Sequence, residues 1–167
     1  MKNISILLIT GMLTVAACNK QQEHKPETDL STTPAVAKNE LPAMHITLLD
    51  SSQLSARDLH GKNVIVMFQP DCDHCQREAK QIQENITAFE TYQVYFVSSA
   101  TGEELKKFAS EYKLDSYSHI HFGSTTVEEI ISSLGQIDAP SVYIYDNGKL
   151  KQKFNGETDI AEITKHL

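Results

Sequence analysis

The sequence predicts an α/β sandwich built around a central mixed β-sheet, and three observations predict it. Continuous apolar runs rich in β-branched and aromatic residues, Val64-Ile65-Val66-Met67-Phe68 and Val94-Tyr95-Phe96-Val97, have the pattern of strands buried on both faces. Segments with apolar residues at helical spacing follow each of them. The chain then closes on Ser141-Val142-Tyr143-Ile144-Tyr145, the turn Asp146-Asn147-Gly148 and Lys149 to Phe154, a hairpin signal because Asn and Gly tolerate positive φ. Alternating strands and helices that finish in a hairpin and a helix can bury their apolar faces only in layers. A chain of 167 residues with 40% hydrophobic content holds one domain plus appendages. The net charge of -7, without a Lys or Arg cluster, argues against nucleic acid as a partner and leaves proteins or small molecules.

Residues 1–17 have the anatomy of an export signal: Lys2 is a short positive n-region, and Ile4 to Val15 form an apolar stretch too short to span a bilayer comfortably. Val15-Ala16-Ala17-Cys18 resembles the bacterial lipobox, in which the cysteine is lipidated and becomes the new N-terminus. Ordinary cleavage after Ala17 is the alternative; both place the domain outside the cytoplasm, and lipidation places it in the bacterial cell envelope, facing the periplasm or exterior. Capping Cys18 also leaves an even pair, Cys72 and Cys75, where three thiols would leave one unpaired. Acyl chains contributing about 0.8 kcal/mol per buried methylene would anchor the protein without a transmembrane helix. The rest of residues 18–41 is polar, mixed in charge and interrupted by Pro26 and Pro34, the composition of a tether whose flexible span is on the order of 25 Å.

The domain is expected over residues 42–167. It opens with a short strand around Ile46 and Leu48, then Leu54 to Leu59 and a turn at Gly61. The Val64–Phe68 strand stops at Pro70, just before the cysteines, and Ala79, Ile82, Ile86 and Phe89 mark a helix. After the Val94–Val97 strand, Leu105, Phe108, Ala109 and Tyr112 recur at i, i+3, i+4 and i+7, and Val127, Ile130, Ile131 and Leu134 repeat that spacing, which marks two amphipathic helices. A short strand near Ile120 separates them. Thr158 or Asp159 caps a final helix that turns Ile160, Ile163 and Leu167 inward. No internal repeat is visible.

The chemistry concentrates in Cys72-Asp73-His74-Cys75 at a strand-to-helix junction. The first sulfur lies over a helix N-terminus, where unpaired N–H groups and the macrodipole favour negative charge, so Cys72 is expected to be the nucleophile. Cys75, one turn on, can attack a mixed disulfide at Cys72 and release the partner, so the redox-active disulfide is itself the only cofactor required. A cation at His74 favours the Cys72 anion, and Asp73 opposes it. An inert structural disulfide is the plainest alternative for an exported protein, but so short a loop contributes little closure entropy.

Strand, Cys-x-x-Cys, helix, inserted αβ elements, Ala139-Pro140 and a terminal hairpin together resemble the thioredoxin-like proteins of the TlpA and ResA type, across roughly residues 42–167. The resemblance implies a thiol-disulfide oxidoreductase exchanging disulfides with protein substrates, recharged by an upstream redox partner, and expected to be a monomer. It implies that Pro140 is cis beside the cysteines, and that the backbone around Ala139 and Pro140 docks substrate. Glu78 matches a glutamate that ResA-like members carry three residues after the second cysteine, implicated in thiol acidity and proton transfer; a first-turn glutamate favoured by the macrodipole explains it equally. Histidine at position 74 resembles oxidising relatives, whereas the tether, the insertion and Glu78 resemble reducing ones, so the direction stays open. The chain departs from the family in having Asp71 where many members have Trp, and Val66 where thioredoxin-type strands carry a buried polar residue. Without that acid, Glu78 is left to assist proton transfer to Cys75.

Two other functions share this fold. Thiol peroxidases use a Thr-x-x-Cys arrangement, which would require Thr at position 69, where Gln69 stands. Copper or zinc could be held by the thiols with His74, His119 or His121, but the copper chaperones of this fold resemble Cys-x-x-x-Cys, and no metal is expected.

Overall fold

The computed structural model describes residues 38–167. The expected signal peptide, the lipidated Cys18 and most of the tether lie outside them. Seven strands form one mixed sheet: β1 (His45–Leu48), β2 (Gln53–Ser55), β3 (Lys62–Met67), β4 (Gln93–Ser98), β5 (Ile120–Ser124), β6 (Ser141–Asp146) and β7 (Lys149–Asn155), in the order β2-β1-β5-β4-β3-β6-β7. β3, β4 and β5 run parallel, while β6 and β7 continue the sheet antiparallel on one side and β1 and β2 on the other. Among the described residues four helices cover it: α1 (Asp73–Glu84), α2 (Gly102–Glu111), α3 (Val127–Leu134) and α4 (Ile160–Thr164).

β3 shows why its sequence is a continuous apolar run. Val64 and Val66, with Phe68 just beyond the strand, enter a core that also holds Ala79 and Ile82 of α1, Leu105 and Phe108 of α2, and Ile163 of α4. Ile65 and Met67 enter a second core on the opposite face with Ile130 of α3, Tyr95, Tyr143 and Tyr145. The result is the expected three-layer α/β sandwich, with the thioredoxin-like order of elements. Val66 is enclosed by apolar neighbours and pairs in register with Phe96 and Val142.

Two details differ from the sequence pattern. The packed unit starts before residue 42: Leu41 is buried, the Glu40 N–H donates to the Gly148 carbonyl at 2.7 Å, and Asn39 Oδ1 accepts the Leu41 N–H at 3.0 Å. Helix α1 stops at Glu84, where Asn85 leaves helical geometry (φ -116°) and donates its side-chain amide to the Gln81 carbonyl. Ile86–Phe89 then forms a 3₁₀ turn that still buries Phe89, so the apolar spacing persists after the α-helix has ended. Of the two caps expected for α4, Asp159 is the one used, accepting the Ala161 N–H at 2.8 Å.

β1 crosses β5 so closely that Gly123 has no room for a side chain. A Cβ there would overlap Ile46 Cγ2 and meet the Thr47 carbonyl oxygen at 3.1 Å and Leu48 Cδ2 at 3.2 Å. Gly123→Ala is therefore expected to destabilise the fold by about 1–3 kcal/mol through overpacking. A urea melt should show the lowered midpoint; an unchanged midpoint would mean that β1 yields without cost.

Candidate active site

The two cysteines lie where the sheet's parallel core ends and α1 begins, outside the carboxyl edge of β3, the usual position for chemistry in such sheets. The approach loop is pinned from behind. The Phe68 N–H donates to the Val97 carbonyl at 3.1 Å, and the Phe68 ring packs on Phe108 with 4.7 Å between centroids. Gln69 donates its amide N–H to Ser99 Oγ at 2.9 Å and accepts from Ser98 Oγ at 3.0 Å. Its carbonyl accepts the Cys72 N–H at 3.2 Å, and Gln76 donates to the Pro70 carbonyl at 2.9 Å. The Gln69 side chain thus fixes the loop through the buried Ser98, while its backbone hydrogen-bonds toward Cys75.

Cys72 is the N-cap of α1, with its sulfur accepting the Cys75 N–H at 3.3 Å. A side chain at an N-cap receives the orphan N–H groups of the first turn, an arrangement suited to a developing negative charge. The same sulfur lies 3.7 Å from the Ala139 carbonyl, to which its S–H donates. The Ala139-Pro140 peptide bond is cis, with Ala139 exposed and Pro140 buried. Both cysteines are free thiols and they are unequal: Cys72 is partly exposed, whereas Cys75 is 2% exposed. Burial pushes the Cys75 thiol up to about 12, with Cys72 as its hydrogen-bond partner and Glu78 adding to the effect.

Glu78 lies on the inner side of α1 at 1% exposure. Its Oε2 accepts the Thr158 N–H at 3.2 Å, while Oε1 has no hydrogen-bond partner among the described residues. Desolvation raises its carboxyl to about 7, opposed by the Thr158 N–H and reinforced by the Glu157 charge. Asp73 and His74 occupy the exposed first turn.

Sequence pattern missed the groups around His74. Glu157, in the loop after β7, accepts Arg77 Nε at 2.8 Å on Oε1 and Arg77 Nη2 at 2.6 Å on Oε2. His74 Nδ1 lies 2.6 Å from the same Oε2 and 2.7 Å from Arg77 Nη2. One ring nitrogen cannot donate to the carboxylate and accept from the guanidinium at once, so the proton on His74 selects which contact is a hydrogen bond. Arg77 foremost, then His74, hold the Glu157 carboxyl down to about 2. Arg77 sits one turn beyond His74, which signals a shared face; Glu157 has no local signal.

The alternative metal ligands are not gathered here. His121 stacks on Tyr95 at 4.9 Å and its Nε2 lies 2.8 Å from Gln93 Oε1. Among the described residues no three His, Cys, Asp or Glu side chains converge as a metal site. An apolar groove of about 330 Å³, lined by Phe68, Gln69, Ile130, Ile131, Ile137 and Ala139 among others, reaches the cysteines through Ala139, whose carbonyl the Cys72 sulfur contacts.

A family model described as "AhpC/TSA family" matches residues 37–153. No curated protein sequence matches the chain significantly. Among solved structures, the chain is similar to a secreted disulfide oxidoreductase of Mycobacterium tuberculosis described as homologous to DsbE of E. coli, with TM-score 0.63, 16% identity, and 74% of this chain and 93% of that one covered. A thioredoxin-like protein from Porphyromonas gingivalis gives TM-score 0.60 and 24% identity over 76% of this chain and 88% of the other. Copper-bound ScoI of Arabidopsis thaliana gives TM-score 0.59 and 12% identity over 73% and 91%. These likenesses establish the thioredoxin-like fold.

Proposed function

We propose, for a chain that belongs to the AhpC/TSA family, that it is a thiol-disulfide oxidoreductase whose substrates are proteins carrying thiols or disulfides. The observation that carries this reading is the asymmetry of the pair: a partly exposed sulfur at a helix N-cap and a buried thiol one turn behind it. In the reducing direction, the Cys72 thiolate attacks a substrate disulfide, forming a mixed disulfide and releasing one substrate sulfur, which takes up a proton. Cys75 then loses its proton, with Glu78 as acceptor, and attacks the Cys72 sulfur. The second substrate thiol leaves, two electrons have moved, and the Cys72–Cys75 disulfide remains for an upstream redox partner to reduce. The oxidising direction is the reverse.

The exposed backbone at Ala139, beside Cys72 and continuous with the apolar groove, supports docking of an extended substrate segment there. Peroxide chemistry has less support, because Gln69 replaces the hydroxyl expected there and is occupied by Ser98 and Ser99. The Val15-to-Cys18 pattern supports a lipid-anchored protein in the bacterial envelope. The deciding experiment equilibrates the purified domain with glutathione redox buffers and assays reduction of insulin. A reversible two-electron couple with insulin turnover or substrate oxidation is expected; failure of both would overturn the reading. The midpoint also gives direction, near about -270 mV for a reductant and near about -120 mV for an oxidant.

A further inference from the structure

The segment following β7 holds α1 at four points. Gly156, at φ +77°, turns the chain back. Glu157 then meets His74 and Arg77 on the outer side of the helix, the Thr158 N–H meets Glu78 on the inner side, and the Ile160 N–H donates to Gln81 Oε1 at 3.0 Å. Glu157 and Arg77 stand 80 residues apart in sequence yet form a two-point ion pair beside the reactive helix tip. The pair contributes little to stability, since Arg77 is 53% and Glu157 25% exposed. Its position gives it another consequence. The Arg77 charge is favoured by Glu157 foremost and also interacts with Asp73 and Cys72, so the guanidinium lies within electrostatic reach of the sulfur.

We propose that Glu157 is a positioning residue for disulfide exchange: by holding and neutralising Arg77 beside His74, it sets the charge at the Cys72 helix tip and so the reduction potential of the pair. This rests on the exchange reading above. The reduced pair can carry a negative sulfur and the disulfide cannot, so an uncompensated cation nearby stabilises the reduced form and makes the pair more oxidising. Glu157 removes that excess positive charge, and its loss restores it.

The test is the equilibrium of the full chain's Cys72–Cys75 couple with glutathione, in which two protein thiols become one disulfide as oxidised glutathione becomes two reduced molecules. Glu157→Gln keeps the shape and one acceptor oxygen but loses the charge. It is expected to shift the equilibrium toward the dithiol by about threefold to tenfold, up to about 30 mV more oxidising for a two-electron couple. Arg77→Gln, leaving Glu157 uncompensated, should shift it the opposite way, and the double variant should return near wild type. Both single shifts should shrink in 1 M salt, where the Debye length falls to about 3 Å. No shift in Glu157→Gln, a shift toward the disulfide, or one indifferent to salt overturns the assignment. A wild-type pair that does not titrate against glutathione removes the exchange reading itself; a normal wild type with an identical Glu157→Gln curve removes only the role of Glu157.

Discussion

Serine at Cys72 is expected to abolish exchange with insulin or any model disulfide, a loss of about 10³-fold or more, because the hydroxyl oxygen is a far weaker nucleophile at neutral pH. Serine at Cys75 should behave differently. It leaves Cys72 at the N-cap but removes the group that would resolve the mixed disulfide, so the variant should accumulate as a covalent adduct with its substrate. The asymmetry follows from geometry: Cys72 is partly exposed and next to the Ala139 carbonyl, while Cys75 is buried and its thiol is pushed up by desolvation. Non-reducing gels and intact mass after incubation with a disulfide-containing protein would show it. Equal adduct formation by both variants, or turnover by Cys72→Ser, would reverse the assigned roles.

How much of this is readable in the sequence depends on how local each cause is. The β3 run is legible because burial on both faces leaves no polar position from Val64 to Met67. The Cys-x-x-Cys pair is legible because strand, turn and helix N-cap are contiguous. Phe89 is correctly expected in the core but for the wrong geometry, since a 3₁₀ turn after Asn85 delivers it to the same place as an unbroken helix. The constraint on Gly123 is hidden, because it arises from β1 pairing with a strand more than 70 residues later in the chain. Glu157 is hidden for the same reason: an exposed carboxylate after a hairpin has no pattern until the fold brings Arg77 to it. Glu78 is half legible. Its spacing from Cys75 is plain, but the first-turn explanation is overturned by the structure: α1 begins at Asp73, so Glu78 is its sixth residue, and it is buried at 1% exposure.

That burial makes Glu78→Gln the second large prediction. With its carboxyl raised to about 7, Glu78 exchanges protons readily near neutrality, the range in which an acceptor for the Cys75 proton works best. An amide cannot accept that proton. The resolving step should slow by about 10²-fold while formation of the mixed disulfide is spared, so the Glu78→Gln enzyme should accumulate adduct transiently in stopped-flow experiments. Stability should change with a definite sign. Between the ordinary carboxyl value of 4.5 and about 7, the folded protein retains a proton that the unfolded chain has released. The stability linked to that proton is present in full below pH 4.5 and is lost as the pH rises through 7, by roughly 3 kcal/mol in all. The amide of the Glu78→Gln variant carries no titrating proton, so urea midpoints of the wild type should fall relative to the variant between about pH 5 and pH 8. Parallel midpoints across that range would place the Glu78 charge in contact with water and remove it as the proton acceptor. The same desolvation that makes the ionised residue costly to the fold is what brings its proton affinity to the pH at which Cys75 must be deprotonated.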